Sequence, residues 1–391
     1  MKPAPLTNVA RLRRLLAAAP FDAVIASSPE NVAYCSGYYG PDLYMLKERQ
    51  CFALWTADGE PAWIAPSYRS ADATFIDDIR SYDYYAREAP VVRDALGHVR
   101  VDRSPIPALV DALTDRGLAG GRLGIEQRHL WPEHFLELQR RLPAARFVDC
   151  TLFFESVRMV KTQAEIERLT HSARVSEQAI HTAFRGVGVG DPAKDVADLL
   201  AYAIAHLGAR QLRHAEVEVS RDGRRISVFD AEAASLVLQP GDVLRVDFVG
   251  WFGLYLSDLA RMAVVGSPAA EVARTYRRVY DDVHCPLLAA TRAGINGAEW
   301  FEHARALFQS AVEVVPWGMI AHGLGLDIHE RPWCHPLEEF ALEPGMVLAV
   351  ESIYHSPGPM FHVEDLVVIR DDGLSEVITG RLGAAKPVQI E

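Results

Sequence analysis

Cysteine is scarce: only Cys35, Cys51, Cys150, Cys285 and Cys334 occur among 391 residues, widely scattered and without a CxxC pair. An odd, dispersed set argues against a disulfide framework and reads as reduced thiols in a cytoplasmic protein. Long apolar runs are also missing. No stretch approaches the roughly 18 uninterrupted apolar residues of a membrane span. The start, Met1-Lys2-Pro3-Ala4-Pro5-Leu6, lacks an apolar segment followed by a cleavage site, so neither a span nor a signal peptide is expected. Positive charge is in deficit, with 40 Lys and Arg against 52 Asp and Glu and a net charge of -12. Nucleic acid and anionic membrane are therefore excluded as expected partners, because phosphate neutralisation needs a basic face. No internal repeat or low-complexity tract occurs. What is present is ordinary globular composition, 49% hydrophobic and 24% charged, able to bury a large core.

The chain reads as two halves. Up to about residue 150, helix-like and strand-like segments alternate. A helix is predicted over Val9 to Ala19 and a strand over Ala23 to Ala26. Further on come a helix over Ile106 to Asp115, a strand over Arg122 to Glu126, a helix over Trp131 to Leu142 and a strand over Arg146 to Asp149. Alternation predicts a mixed α/β domain with mostly parallel pairing. Near residue 155 the texture changes. Thr162-Gln163-Ala164-Glu165 is a capping box for a helix that Gly186 stops. Asp191-Pro192 predicts a second helix running to Gly208, with Pro at its first position. Helices follow over Ala270 to Ala289 and Ala298 to Ala311, among apolar runs ended by Gly and Pro that read as antiparallel hairpins. The fold class expected is α+β.

Acidic residues sit inside two of these hairpins. Asp247 and Asp258 lie on runs flanking a turn near Phe252-Gly253, and a turn centred there places them opposite one another. Glu351 and Glu364 lie on runs flanking Ser356-Pro357-Gly358-Pro359 and also fall opposite one another. A single acid in a strand is ordinarily solvated or salt-bridged. Two facing pairs in apolar strands call for cations, because buried unpaired carboxylates otherwise neutralise. Divalent metals held by shared carboxylates are the usual hydrolytic form of such a site. Five of the fourteen histidines (His322, His329, His335, His355, His362) fall between 322 and 362. The Gly-rich segment Ala321-His322-Gly323-Leu324-Gly325-Leu326-Asp327-Ile328-His329-Glu330-Arg331-Pro332 singles out His322 as a ligand and His329 as a second histidine of the site.

This order of Asp, eleven residues, Asp, then HGLGLDIHERP, Glu and Glu-Asp resembles the pita-bread metallopeptidases. Within them it is similar to the Xaa-Pro dipeptidases (prolidases) and Xaa-Pro aminopeptidases, from RMVKTQAEIERL at about Arg158 to near residue 380. Asn31-Val32-Ala33-Tyr34-Cys35-Ser36-Gly37-Tyr38 resembles the N-terminal domain shared by prolidases and creatinase. The resemblance implies an α/β creatinase-like domain over 1–155 and a pita-bread catalytic domain over 156–391. It implies that Asp247, Asp258 and Glu364 hold one metal and that Asp258, His322, Glu351 and Glu364 hold another. A hydroxide between the metals would be the nucleophile, Glu351 its general base, and His329 a hydrogen-bonding partner of the scissile carbonyl or tetrahedral intermediate. Ligand hardness favours Mn²⁺, with Co²⁺ or Zn²⁺ able to substitute. The partners implied are a small peptide with proline second and another copy of the chain in a homodimer.

Two positions depart from the family pattern. Asp230 stands where the family usually has a histidine seventeen residues before the first metal Asp, and His362 stands where it usually has an arginine. Both positions bear on substrate recognition. A dipeptide's free carboxylate then needs another cation, such as Arg331 or one in the Tyr38 to Arg49 loop. The activities expected are Xaa-Pro dipeptidase first, with Xaa-Pro aminopeptidase or a C–N hydrolase of a small compatible solute as alternatives. A non-catalytic binding module is disfavoured, because such relatives lose ligands and this chain keeps all five.

Overall fold

Runs such as Phe52–Thr56 and Ala62–Pro66 are almost wholly buried, the pattern of strands covered on both faces. In the computed structural model, residues 5–46, 49–67, 73–83, 104–209, 211–316 and 320–391 are described, and the chain forms two units, Met1–Arg158 and Met159–Glu391. Among the described residues, no helix is long and apolar enough to cross a membrane.

The first unit is built on strands β1 (Ala23–Ala26), β2 (Phe52–Thr56), β3 (Ala62–Pro66), β4 (Asp78–Tyr82), β5 (Arg122–Ile125) and β6 (Arg146–Asp149), ordered β4-β3-β2-β1-β5-β6. The pairs β1–β5, β5–β6 and β3–β4 are parallel, while β1–β2 and β2–β3 are antiparallel. The expected helices appear as α1 (Val9–Ala17), α4 (Ile106–Asp115) and α5 (Pro132–Arg141). The Asn31–Tyr38 segment is a helix and its stop. Helix α2 (Pro29–Ser36) starts at the Ser28 cap with Pro29 in its first turn, and Gly37 ends it at φ 71°. A short α3 (Pro41–Tyr44) follows it, and α6 (Thr151–Arg158) ends the unit. Buried Glu126 ties α2 to β1, accepting from Ser27 N (2.5 Å), Ser28 N (2.9 Å) and Asn31 Nδ2 (2.6 Å).

The second unit opens with α7 (Gln163–Arg185), started by the expected Thr162/Glu165 capping box and burying Leu169, Ala173, Ile180 and Ala183. The second helix begins later than its sequence predicts: α8 spans Asp195–His206. Pro192 instead bridges to Val237, and Ala193 N donates to Leu236 O at 2.8 Å, so this backbone is spent on strand-like pairing before the helix can start. Helix α9 (Ala270–Arg277), a π-helical stretch (Arg278–His284) and α10 (Cys285–Ala290) run on continuously, and α11 spans Gly297–Val312.

Two five-stranded sheets complete the unit. The first is ordered β16-β10-β9-β7-β8, with β7 at Gln211–Arg221, β8 at Arg224–Ser227, β9 at Val243–Phe252, β10 at Tyr255–Val265 and β16 at Val388–Ile390. The second is ordered β12-β11-β13-β14-β15, with β11 at Ala321–Gly323, β12 at Glu330–Trp333, β13 at Val347–His355, β14 at Met360–Ile369 and β15 at Ser375–Val377. Strand β10 of the first sheet packs along β14 of the second.

Alternation decides what each strand shows to its neighbours. Leu244, Val246, Phe248, Leu259 and Ala263 pack with α7 and α8 in one core. Leu348, Val350, Val367 and Ile369 pack with Leu287, Trp300 and Phe308 in another. The residues of opposite parity on β9, β10, β13 and β14 are thereby turned the other way, towards the junction of the two sheets.

Candidate metal centre

Residues of that opposite parity include Asp247, Asp258, Glu351 and Glu364. Strands β13 and β14 pair Glu351 directly with Glu364, as their sequence predicts. Strands β9 and β10 do not pair Asp247 with Asp258. Asp247 lies opposite Ala260, and Asp258 opposite Val249. The turn is Gly253-Leu254 rather than Phe252-Gly253, because Gly253 takes φ 62° and glycine supplies that conformation without a Cβ penalty. The two aspartates are diagonal neighbours on one face, which still brings both to the site.

Side-chain atoms of Asp247, Asp258 and Glu364 lie within 4.8 Å of one another, as do those of Asp258, His322 and His329, and those of Glu351, His362 and Glu364. His322 on β11 is opposite Ala349 of β13, one pleat from Glu351. Its Nε2 is 3.7 Å from Asp258 Oδ2 and 3.9 Å from Glu351 Oε1, and its ring stands edge-on to His329 at 4.6 Å. His329 is exposed at the rim.

The electrostatics of this cluster fit a cation site. Burial pushes the Asp258 carboxyl well above its ordinary range, and the charges of Asp247 and Glu351 push it further. Burial does the same to Glu364, reinforced by Asp258, Glu351 and Asp247, and burial raises Glu351. Glu364 is 1% exposed, yet its Oε1 has no hydrogen-bond partner. A buried carboxylate oxygen left without a donor fits a cation ligand. Four carboxylates and an imidazole form a donor set suited to hard or borderline divalent ions. Desolvation depresses the His322 pKa, which keeps its imidazole neutral, the form a metal takes up.

Outside the cluster, fully buried Arg261 bonds Glu177 Oε1 (2.5 Å), Asp365 Oδ1 (2.6 Å) and the Glu364 carbonyl. His284, carried on the π-helical stretch, bridges Asp365 Oδ2 (3.1 Å) and Ser352 Oγ (3.2 Å), so the backbones bearing Glu351 and Glu364 are clamped from behind.

Residues 167–371 match the family model described as metallopeptidase family M24, just over half of the chain. The chain belongs to metallopeptidase family M24. Residues 8–160 match the creatinase/prolidase N-terminal domain, so the expected creatinase-like domain followed by a pita-bread catalytic domain holds. The uncharacterized peptidase YqhT of Bacillus subtilis is 26% identical over 371 residues, covering 93% of this chain and 95% of that protein. The Xaa-Pro dipeptidase of Pyrococcus furiosus is 27% identical over 228 residues, 56% of this chain and 63% of that protein. Among solved structures, a dipeptidase from Pyrococcus horikoshii superposes at TM-score 0.79 with 20% identity, covering 98% of this chain and 99% of that one. An X-Pro aminopeptidase from Thermotoga maritima superposes at 0.74 with 21% identity, again over 98% and 99%.

Within this M24 chain, three further residues lie at or against the carboxylate cluster. His362, which the family pattern ties to substrate recognition, is 1% exposed and has Nε2 3.3 Å from Glu351 Oε2. Burial lowers its pKa to about 4. Arg245, two residues before Asp247 and on the same face, reaches Asp247 Oδ2 at 3.2 Å and also bonds Glu216. Its parity with Asp247 was the available signal. Glu330 anchors the histidine loop: its Oε1 accepts from Leu326 N and Asp327 N at 3.1 Å each, and Lys161 Nζ meets its Oε2 at 3.2 Å. Asp230 is exposed at the start of a 3-10 turn. Arg331, one of the cations considered for a substrate carboxylate, is held by Glu338 through two bonds of 2.9 and 2.8 Å. In the first unit, Arg49 lies 3.8 Å from Asp42, and Tyr38 donates to Asp42 at 2.5 Å. Lys47 and Glu48 of that loop lie outside the described residues.

Proposed function

We propose that this chain is an Xaa-Pro dipeptidase with a two-metal centre. The observation that carries the proposal is the convergence of Asp247, Asp258, Glu351, Glu364 and His322 at the junction of the two sheets, with the orphaned Glu364 Oε1 among them. Asp247, Asp258 and Glu364 would hold one ion, and Asp258, His322, Glu351 and Glu364 the other, with Mn²⁺ best matched and Co²⁺ or Zn²⁺ able to replace it. Divalent ions there lower the pKa of bound water and polarise a carbonyl. The protein's own groups supply the rest. Glu351, its pKa raised by burial, takes the proton of the attacking water as general base. His329 at the exposed rim donates a hydrogen bond to the scissile carbonyl as it becomes tetrahedral. The Xaa-Pro dipeptidase of Pyrococcus furiosus supports the choice of substrate.

The test is hydrolysis by metal-stripped protein reconstituted with Mn²⁺ and offered Leu-Pro beside Leu-Pro-Gly. Cleavage of the dipeptide alone is expected. Cleavage of the tripeptide alone moves the assignment to an Xaa-Pro aminopeptidase. Cleavage of neither, with metal bound, moves it to another C–N bond in a small solute and marks Asp230 and His362 as signs of that change. The family resemblance also leads us to propose a cytoplasmic homodimer, which sedimentation would contradict by returning the 43.3 kDa mass of one chain.

A further inference from the structure

Two buried histidines face the carboxylate cluster, and their outer nitrogens meet opposite chemistries. His322 Nδ1 lies 3.0 Å from the Gly323 carbonyl. A carbonyl only accepts, so the proton sits on Nδ1 and Nε2 presents a bare lone pair towards Asp258 and Glu351. This is the ligand-ready tautomer.

His362 is reversed. Its Nδ1 lies 3.4 Å from Arg245 Nη1, nearer than the 3.9 Å to Asp247 Oδ2. A guanidinium only donates, so Nδ1 must offer its lone pair and the proton of the neutral ring sits on Nε2. That Nε2 is 3.3 Å from Glu351 Oε2 and 4.0 Å from Glu364 Oε2. No aligned hydrogen bond reaches Nε2, and Glu351 Oε2 is the nearer of the two carboxylate oxygens. Arg245 is held in place for this task, since the same Nη1 donates to Asp247 at 3.2 Å while Nη2 meets Glu216. The two oxygens of Glu351 are divided between the histidines: Oε1 faces His322, and Oε2 faces His362.

We propose that His362 is a positioning residue and not a metal ligand: Arg245 fixes it as the Nε2–H tautomer, and that N–H holds Oε2 of Glu351. Oε1 is thereby left to the metal side of the site. The inference rests on the two-metal reading, because it names what orients that reading's general base. It also assigns work to a histidine and an arginine outside the expected ligand set.

The experiment has two arms that need no substrate, so a failure to cleave Xaa-Pro peptides leaves them intact. In the first, the metal-free protein is labelled with ¹⁵N-histidine, and the His362 signals are assigned with His362→Gln. The Nε2–H tautomer is expected, retained in Arg245→Lys and lost to a mixture in Arg245→Met. A wild-type ring protonated on Nδ1 would overturn the proposal. In the second, Mn²⁺ is titrated into metal-stripped wild type, His362→Ala and His362→Gln. Unchanged equivalents are expected, with a weakening of no more than about 10–100-fold, the usual effect of losing a group that orients a ligand, whereas loss of one equivalent marks a ligand and refutes the proposal. The wild-type tautomer remains decisive if His362→Ala fails to fold. In turnover, His362→Ala is expected to lower kcat with little change in KM, and His362→Gln, which keeps a donor at the Nε2 position, to recover most of the loss.

Discussion

Lys161→Met is expected to destabilise the second unit by an amount that follows from its surroundings. Lys161 Nζ lies 3.2 Å from Glu330 Oε2, and the two side chains are 1% and 3% exposed. The substitution leaves a buried carboxylate without the ammonium that faces it, a loss of about 3–5 kcal/mol. Two backbone donors remain on Oε1, from Leu326 and Asp327, and hydrogen bonds to the ionised form keep part of its stabilisation. The lower end, about 3 kcal/mol, is therefore expected. For a unit of this size each kcal/mol moves Tm by about 2–4 °C, so the midpoint should fall by about 6–12 °C. Calorimetry of the metal-stripped protein at pH 7.5 reads this directly, and Lys161→Met/Glu330→Gln should cost less than the two single changes together. A loss below about 1 kcal/mol, or strict additivity in the double variant, would refute the reasoning, because neither is compatible with a charge pair closed from solvent.

His329→Ala should lower kcat by about 10²–10³, the usual cost of one donor to a developing oxyanion, while Mn²⁺ titration shows the same equivalents as wild type; lost equivalents would make His329 a ligand. Burial raises the Glu165 pKa from 4.5 to about 7, outweighing the Thr162 N–H, the Lys161 charge and the Tyr255 hydroxyl. Between those values the unfolded chain gives up this proton and the folded chain keeps it, so Glu165's contribution is lost as pH rises through that window, on the order of 3 kcal/mol. Urea midpoints from pH 4.5 to 7.5 should consequently fall more steeply for wild type than for Glu165→Gln, and parallel slopes would contradict the assignment. Gly253→Val should cost about 1–2 kcal/mol in urea unfolding, since φ is 62° there and a β-branched residue is strained in that region; a neutral result would contradict the two-residue turn.

The parts of the site that were legible in the sequence were those fixed by parity. The Glu351/Glu364 pair was read correctly because Ser356 to Pro359 forms a symmetric connection, with His355 paired to Met360. The Asp247/Asp258 register differs by two residues from its sequence expectation, yet a slip of two keeps every side chain on its face. The four carboxylates therefore still share one face at the junction. Arg245 is legible by the same parity with Asp247. The sequence marks His362 only as a departure from the family pattern, because its contact with Arg245 depends on how the β13–β14 hairpin is presented to β9. The Lys161–Glu330 pair joins residues 169 positions apart, and no local pattern announces it. In the first unit, β2, β3 and β4 are not legible in the sequence, because apolar runs of four or five residues carry no period that separates strand from helix. The late start of α8 was a competition between Pro192 as a helix opener and as a bridge partner of Val237, which distant backbone decided.

Equilibrium titration of Mn²⁺ into metal-stripped protein, wild type beside Asp258→Asn, decides whether the carboxylate junction is a metal centre. Asp258 belongs to two of the close groupings at the junction, one with Asp247 and Glu364 and one with His322 and His329. Two equivalents per chain are expected for wild type, with at least one lost or weakened by about tenfold or more in Asp258→Asn. Absence of binding in wild type, or binding that Asp258→Asn leaves unchanged, would contradict the assignment of these residues as ligands and the hydrolytic mechanism built on it.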